Sequence, residues 1–209
     1  MKKIADSIKL AVRSVMRRIA KMLDTVTNHK ITPNSVTWFG FAMHIPIAYL
    51  IATGSFVWAA VLLVIFGLFD TLDGELARLQ NRVTNNGGFL DASTDRLKEV
   101  LLYAGAAYFL ATTSEPRYAA LAVIACGASL CVSYVKAKGE ATVAGLDKKI
   151  PYATLNRMFS GGFFPFEVRM VVFIVGLLLN QLPWTLAVIG VCSIFTVFQR
   201  IIIISKALR

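Results

Sequence analysis

Four aspartates stand in two short, regularly spaced groups. Residues 70–78 read Asp70-Thr-Leu-Asp73-Gly74-Glu-Leu-Ala77-Arg78, and residues 87–95 read Gly87-Gly-Phe-Leu-Asp91-Ala-Ser-Thr-Asp95. Written as a pattern this is D-x2-D-G-x2-A-R-x8-G-x3-D-x3-D. On a helix Asp70 and Asp73 share a face that Gly74, Ala77 and Arg78 continue. Gly87, Asp91 and Asp95 recur every fourth residue and align in the same way on a second helix. With Leu79–Phe89 as the connection, the two helices can run antiparallel and face their carboxylates across a polar cavity. Four carboxylates cannot stay charged and close together without protons or cations. An all-oxygen donor set favours Mg²⁺ or Mn²⁺. Two such ions could clamp a diphosphate and stabilise both the attacking and the leaving oxygen. Gly74, Ala77 and Gly87 remove bulk where a nucleotide could approach, and Arg78 can pair with a phosphate or a motif carboxylate. A purely structural polar network explains one aspartate well, but not four at this spacing with glycines and an arginine.

The elements that must carry these residues are hydrophobic. An apolar run, Phe56–Phe69, leads into Asp70, and another begins at Val100, just after Asp95. Each gives only roughly 20 Å of helix, short of the roughly 30 Å hydrocarbon core. Helices spanning a bilayer here must include their carboxylates, and ionisable residues at such depth mark function. The 209 residues have a mean hydropathy of +0.64 and are 56% hydrophobic, far above an ordinary soluble domain. Hydropathy predicts six spans, at about 34–54, 56–78, 91–112, 118–137, 166–182 and 184–204. The expected fold is an all-α integral membrane protein. Six transmembrane helices form one catalytic domain, 31–209, preceded by an amphipathic interfacial helix in 1–30.

The net charge of +10 follows topology. Basic residues precede the first span, flank the 2–3 and 4–5 connections and end the chain, while Arg117 alone sits on the other side. The positive-inside rule places both termini and the aspartates in the cytoplasm, as expected in a prokaryotic plasma membrane. With no soluble basic module, nucleic-acid binding is excluded. Cys126, Cys131 and Cys192 lie within predicted spans without metal-type spacing, and His29 and His44 have no partner at ligand spacing.

Near the start, Ile4, Ile8, Val12, Val15, Met16, Ile19, Met22, Leu23 and Val26 recur at helical spacing among lysines and arginines. This pattern predicts an amphipathic helix on the cytoplasmic interface rather than a signal peptide. Thr32-Pro33-Asn34-Ser35-Val36-Thr37 is a helix-start signal. Its free N–H groups would face the cytoplasmic interface, where a phosphate could bind, and beside four carboxylates this makes Asn34 and Thr37 candidate edges of a nucleotide site.

The aspartate pattern resembles the signature of the CDP-alcohol phosphotransferase family at every defined position. The resemblance implies a six-helix membrane enzyme, usually homodimeric. Such enzymes move a substituted phosphoryl group from a CDP-linked donor to an alcohol and release CMP. It further implies that Asp70, Asp73 and Asp91 bind metal, with Asp95 a further ligand and the general base on the acceptor hydroxyl. Gly74, Ala77, Arg78 and Gly87 would line the CDP site.

A second stretch bears on the acceptor. Ser133-Tyr134-Val135-Lys136-Ala137-Lys138-Gly139-Glu140 resembles a segment of the bacterial phosphatidylinositol-phosphate synthases. Phe166-Glu167-Val168-Arg169 and Gln199-Arg200 resemble two more. The resemblance implies that Lys136, Lys138, Arg169 and Arg200 hold the phosphate of inositol phosphate, and a dianionic acceptor needs several cations. Lys138 stands where that subfamily carries Arg, which gives up bidentate geometry. The aromatic-rich segment Asp147–Phe166 is expected to re-enter the interface or cover the acceptor site.

The reading is therefore a phosphatidyltransferase taking CDP-diacylglycerol from the cytoplasmic leaflet, with inositol phosphate as the expected acceptor. Glycerol 3-phosphate is the alternative acceptor. A carboxylate-based cation transporter is the alternative of another class. Clustering of the aspartates at one membrane face argues against the transporter.

Overall fold

The computed structural model describes residues 2–144 and 162–208, which form helices and turns with no strand among them. α1 (Lys2–Val26) and α2 (Pro33–Ala52) are followed by α3 (Phe56–Gly67) and α4 (Phe69–Leu79). α5 (Asn85–Ala111), a 3₁₀ turn at Pro116–Tyr118, α6 (Ala119–Ala144), α7 (Phe166–Leu178) and α8 (Leu182–Ala207) complete the order.

The apolar positions of α1 divide into two stripes. Met16 and Ala20, with Val12 and Leu23 beside them, pack onto Val36, Leu72 and Leu76. Val15, Ile19, Met22 and Val26 remain exposed. One stripe therefore docks the helix on α2 and α4, and the other faces outward. Past α1 the chain turns through left-handed Asn28 and His29. Asp24 fastens this corner, accepting from Gln80 Nε2 at 2.7 Å and lying 2.7 Å from His29 Nδ1. The same Gln80 amide donates to Ile31 O at 2.9 Å. Its bond to Asp24 is the main influence holding that carboxyl below its ordinary value.

Among the described residues, four helical stretches are long and apolar enough to cross a membrane: Pro33–Ala52, Phe56–Leu79, Pro116–Val143 and Leu182–Lys206. Phe56–Leu79 comprises α3 and α4, which meet at Leu68. The other two expected spans differ from these for separate reasons. α5 carries Asp91, Asp95, Arg96, Lys98 and Glu99 between its start and its middle turn, and α7 has only 13 residues. α5 also starts earlier than the hydropathy boundary. Thr84 caps it by accepting from Gly87 N at 3.0 Å, which satisfies one of the free N–H groups of the first turn. Gly87, Asp91 and Asp95 thus belong to one helix, and the connection from α4 shrinks to residues 80–84. Most of the expected acceptor cover, residues 147–161, lies outside the described residues.

The core is built where α2, α5, α7 and α8 meet around Ile47, Ile51, Leu102, Ala106, Phe173 and Leu186. α2 and α5 approach backbone to backbone at Gly105, where a Cβ would fall on the Ala48 carbonyl. This approach holds the first turns of both helices beside α4. Gly105→Ala should destabilise the protein by roughly 1–3 kcal/mol through overpacking. Gly127→Ala, where a Cβ meets nothing within 4 Å, should be neutral or stabilising by up to about 1 kcal/mol. Thermal unfolding of both variants in detergent checks the contrast.

Candidate metal and nucleotide site

α4 supplies Asp70 and Asp73 from its first turns, and α5 supplies Asp91 and Asp95 from successive turns. One carboxylate oxygen from each of Asp70, Asp91 and Asp95 lies within 4.8 Å of the others. Asp73 stands outside this group, and Thr37 on the first turn of α2 donates to its Oδ2 at 2.5 Å. The donor set fits a hard divalent cation. Every ligand is a carboxylate oxygen, the three approach one point, and Asp91 Oδ1 is buried without a hydrogen-bond partner.

Sequence reasoning missed one member of this cluster. Lys98, only 3% exposed, places its Nζ 2.5 Å from Asp70 Oδ1 and 3.2 Å from Asp95 Oδ1. Read along the chain, it is one more basic residue near a helix end and counts toward topology. Its spacing held the signal, since Lys98 follows Asp95 by three residues and Asp91 by seven, on the same helix face.

The candidate nucleotide residues flank the aspartates. A Cβ at Gly87 would come within 3.6 Å of Asn34 Oδ1 and 3.3 Å of Thr84 Oγ1, so the starts of α2 and α5 adjoin there. A Cβ at Gly74 would meet only the flexible end of Arg78, at 3.4 Å. Packing within the chain therefore does not demand Gly74, and its open face remains for a ligand. Ala77 is half-buried and Arg78 exposed. The carboxylate partner of Arg78 is Glu75, at 2.6 Å, rather than a motif aspartate. Arg13 of α1 also lies 3.8 Å from Glu75.

One turn beyond Asp95, a second charged layer crosses the bundle. Glu99 and Arg169 are both 0% exposed and meet at 3.3 Å, with Arg169 also donating to Phe164 O at 3.2 Å. Arg96 pairs with Glu99 at 3.4 Å and with Asp95 at 3.9 Å, and it donates to Ser133 on α6. Arg96 and Arg169 lie over the Phe166 ring, 5.1 and 5.8 Å from its centroid. Of the candidate acceptor residues, Arg169 is thus joined to the aspartates through Glu99 and Arg96. Arg200 is buried and donates to Val132 O at 2.8 Å, Lys136 lies 3.7 Å from Glu140, and Lys138 is exposed. Arg96 and Glu99, three apart on α5, were also missed, although an i,i+3 pair of opposite charge just after the last aspartate is readable in sequence.

The family model for CDP-alcohol phosphatidyltransferase matches residues 30–197. The chain belongs to this family. It is 32% identical over 202 residues to the phosphatidylinositol phosphate synthase of Corynebacterium glutamicum, an alignment covering 92% of this chain and 85% of that one. It is 28% identical over 216 residues to the archaetidylinositol phosphate synthase of Methanothermobacter thermautotrophicus, covering 100% of both. Crystal structures of the Mycobacterium tuberculosis phosphatidylinositol phosphate synthase share the fold at 26% identity. The form with CDP-DAG bound gives a TM-score of 0.77 over 91% of this chain and 94% of that one. The form with manganese and citrate gives 0.78 over 91% and 89%. That manganese complex agrees in kind with the oxygen donor set of Asp70, Asp91 and Asp95 in this CDP-alcohol phosphatidyltransferase.

The buried pair yields a stability prediction. Glu99→Ala leaves Arg169 an uncompensated buried charge and should cost roughly 3–5 kcal/mol. Glu99→Ala combined with Arg169→Met should recover part of that loss. Denaturant titration of the two single variants and the double variant measures the coupling.

Proposed function

We propose that this enzyme transfers the phosphatidyl group of CDP-diacylglycerol to inositol phosphate and releases CMP. The convergence of Asp70, Asp91 and Asp95, within the family's motif, is the observation that carries the chemistry. The acceptor rests on the named relatives and on Arg169, whose Nε is buried without a hydrogen-bond partner and is left to meet an anion.

In this reading Asp70, Asp73, Asp91 and Asp95 hold Mg²⁺ or Mn²⁺, with two ions expected. Bound cations supply charge neutralisation for the pyrophosphate and the departing CMP. Gly74, Ala77, Arg78 and Gly87, with Asn34 and Thr37, receive the CDP group. The first turn of α2 offers N–H groups to phosphate there. Asp95 takes the proton of the acceptor hydroxyl, whose oxygen attacks the β-phosphorus. The bond from that phosphorus to the bridging oxygen breaks, and CMP carries the electron pair away. Lys136, Lys138, Arg169 and Arg200 hold the acceptor phosphate. Arg96 lies near Asp95 and Lys98 bonds to it, so its carboxylate is oriented before substrate arrives.

The proposed setting is a prokaryotic plasma membrane. In it, α5 and α7 join the four longer stretches as six spans of one domain, 31–209, and both termini and the site face the cytoplasm. The exposed stripe of α1 lies in the interface among its lysines and arginines. The family resemblance adds a homodimer.

CMP release by the purified protein with Mg²⁺ or Mn²⁺ tests this directly. Inositol phosphate, glycerol 3-phosphate, free inositol and serine are offered in parallel. Inositol phosphate should be the productive acceptor, and turnover with glycerol 3-phosphate alone would reassign it. Asp95→Asn should lower turnover about 10²–10⁴-fold, the typical worth of a positioned base, while CDP-diacylglycerol still binds. Near-normal turnover in Asp95→Asn would remove Asp95 from the base role.

A further inference from the structure

Lys98 enters the chemistry described above only through its bond to Asp95, yet it is the most deeply placed cation among the motif carboxylates. Its Nζ bridges Asp70 on α4 and Asp95 on α5 at 2.5 and 3.2 Å, with 3% of the residue exposed. Burying an ammonium is costly unless it is paired, so this position requires the two carboxylates. The converse also holds. Asp70, Asp91 and Asp95 approach within 4.8 Å, and without a positive charge among them they would have to take up protons or move apart, loosening α4 from α5.

We propose that Lys98 is the resident counter-ion of the metal site. Its ammonium keeps the carboxylates of α4 and α5 assembled in the metal-free protein, and a divalent cation must share or displace it on binding. The inference rests on reading the aspartates as a metal site. It makes Lys98 a positioning residue that sets cation affinity, with no contact to substrate. The cost follows from Coulomb's law: a fixed positive charge within a few ångströms of an incoming cation weakens its binding. The benefit is that the site is prearranged before metal arrives, without large motion of either helix.

The test uses the full chain purified in detergent, stripped with EDTA, with Mn²⁺ alone as the probe. Lys98→Met removes the charge and keeps the length of the side chain, and Lys98→Arg keeps the charge. Thermal unfolding in EDTA and Mn²⁺ affinity by electron paramagnetic resonance of the free ion are the two readouts. Lys98→Met should unfold at lower temperature than wild type in EDTA and regain most of the difference in saturating Mn²⁺. It should also bind Mn²⁺ about tenfold more tightly or better. Lys98→Arg should resemble wild type in both respects. Unchanged or weaker Mn²⁺ binding by Lys98→Met overturns the proposal. So does tighter binding by Lys98→Arg, which would assign the effect to packing. Failure of Lys98→Met to fold even with Mn²⁺ also overturns it, because the metal should replace the lost charge. Wild type that binds no Mn²⁺ refutes the metal-site reading instead, and the EDTA comparison then still decides whether Lys98 holds α4 to α5.

Discussion

Carboxylate oxygens that approach within 4.8 Å repel one another far more strongly in a helical bundle than in water, and the arrangement around them answers that repulsion. Lys98 bridges Asp70 and Asp95 from within the cluster, Arg96 approaches Asp95 from its side, and Thr37 binds Asp73. These partners come from α2 and α5, so α2, α4 and α5 have to meet at one level. The close approach of Gly105 to Ala48 and the docking of α1 across α2 and α4 fix that level from the apolar side. The packing therefore holds charged groups at separations they would not keep alone. Among the motif aspartates it leaves Asp91 Oδ1 buried without a hydrogen-bond partner. Such an atom is costly in a finished core and useful in a site awaiting a cation.

α5 shows how the transition from polar to apolar is graded. Asp91, Asp95, Glu99 and Tyr103 follow one another a turn apart on one face. The first two face the candidate cation position, and Glu99 is paired with Arg169 and Arg96. Tyr103 needs only a hydroxyl partner, Ser129 at 3.1 Å. Beyond it Ala106 and Leu110 are wholly apolar core. Each turn thus demands less electrostatic compensation than the one before. This grading lets a single helix begin in a charged cavity and end in a hydrocarbon-like interior.

The aspartate pattern was legible because helical spacing alone puts Asp70 with Asp73 and Asp91 with Asp95. Only the antiparallel meeting of α4 and α5 had to be assumed. The N-terminal helix was legible as well, though not its division into a docked stripe (Met16, Ala20) and an exposed one (Val15, Ile19, Met22), since both stripes are equally apolar. Hydropathy misplaced the start of α5 because Thr84 is a cap, and capping is independent of hydrophobicity. The basic residues were hardest to read. Lys98 and Arg96 carry the same sign as the topology signal around them, as does Arg169, which the resemblance alone singled out. Only the partners they meet, on the same helix or on another, separate a residue joined to the aspartates from one that merely flanks a helix end. Glu75 was passed over although its i,i+3 spacing to Arg78 is readable in sequence, and only its contact with Arg13 depends on α1 docking beside α4.

The two charged layers also constrain each other. Glu99 lies one turn, about 5.4 Å of helix, beyond Asp95, and Arg96 contacts both carboxylates. An anion that draws Arg169 away from Glu99 leaves Glu99 more dependent on Arg96, and Arg96 then has less to offer Asp95. Binding at the arginine layer is thereby felt at the carboxylate proposed to receive the acceptor's proton. A lysine in place of Arg169 could supply charge, but from one nitrogen, without the planar fork that meets Glu99 and the Phe164 carbonyl through separate nitrogens and leaves Nε over. Stability alone therefore does not explain the burial of this arginine, since a buried ion pair contributes little net stability over an apolar replacement.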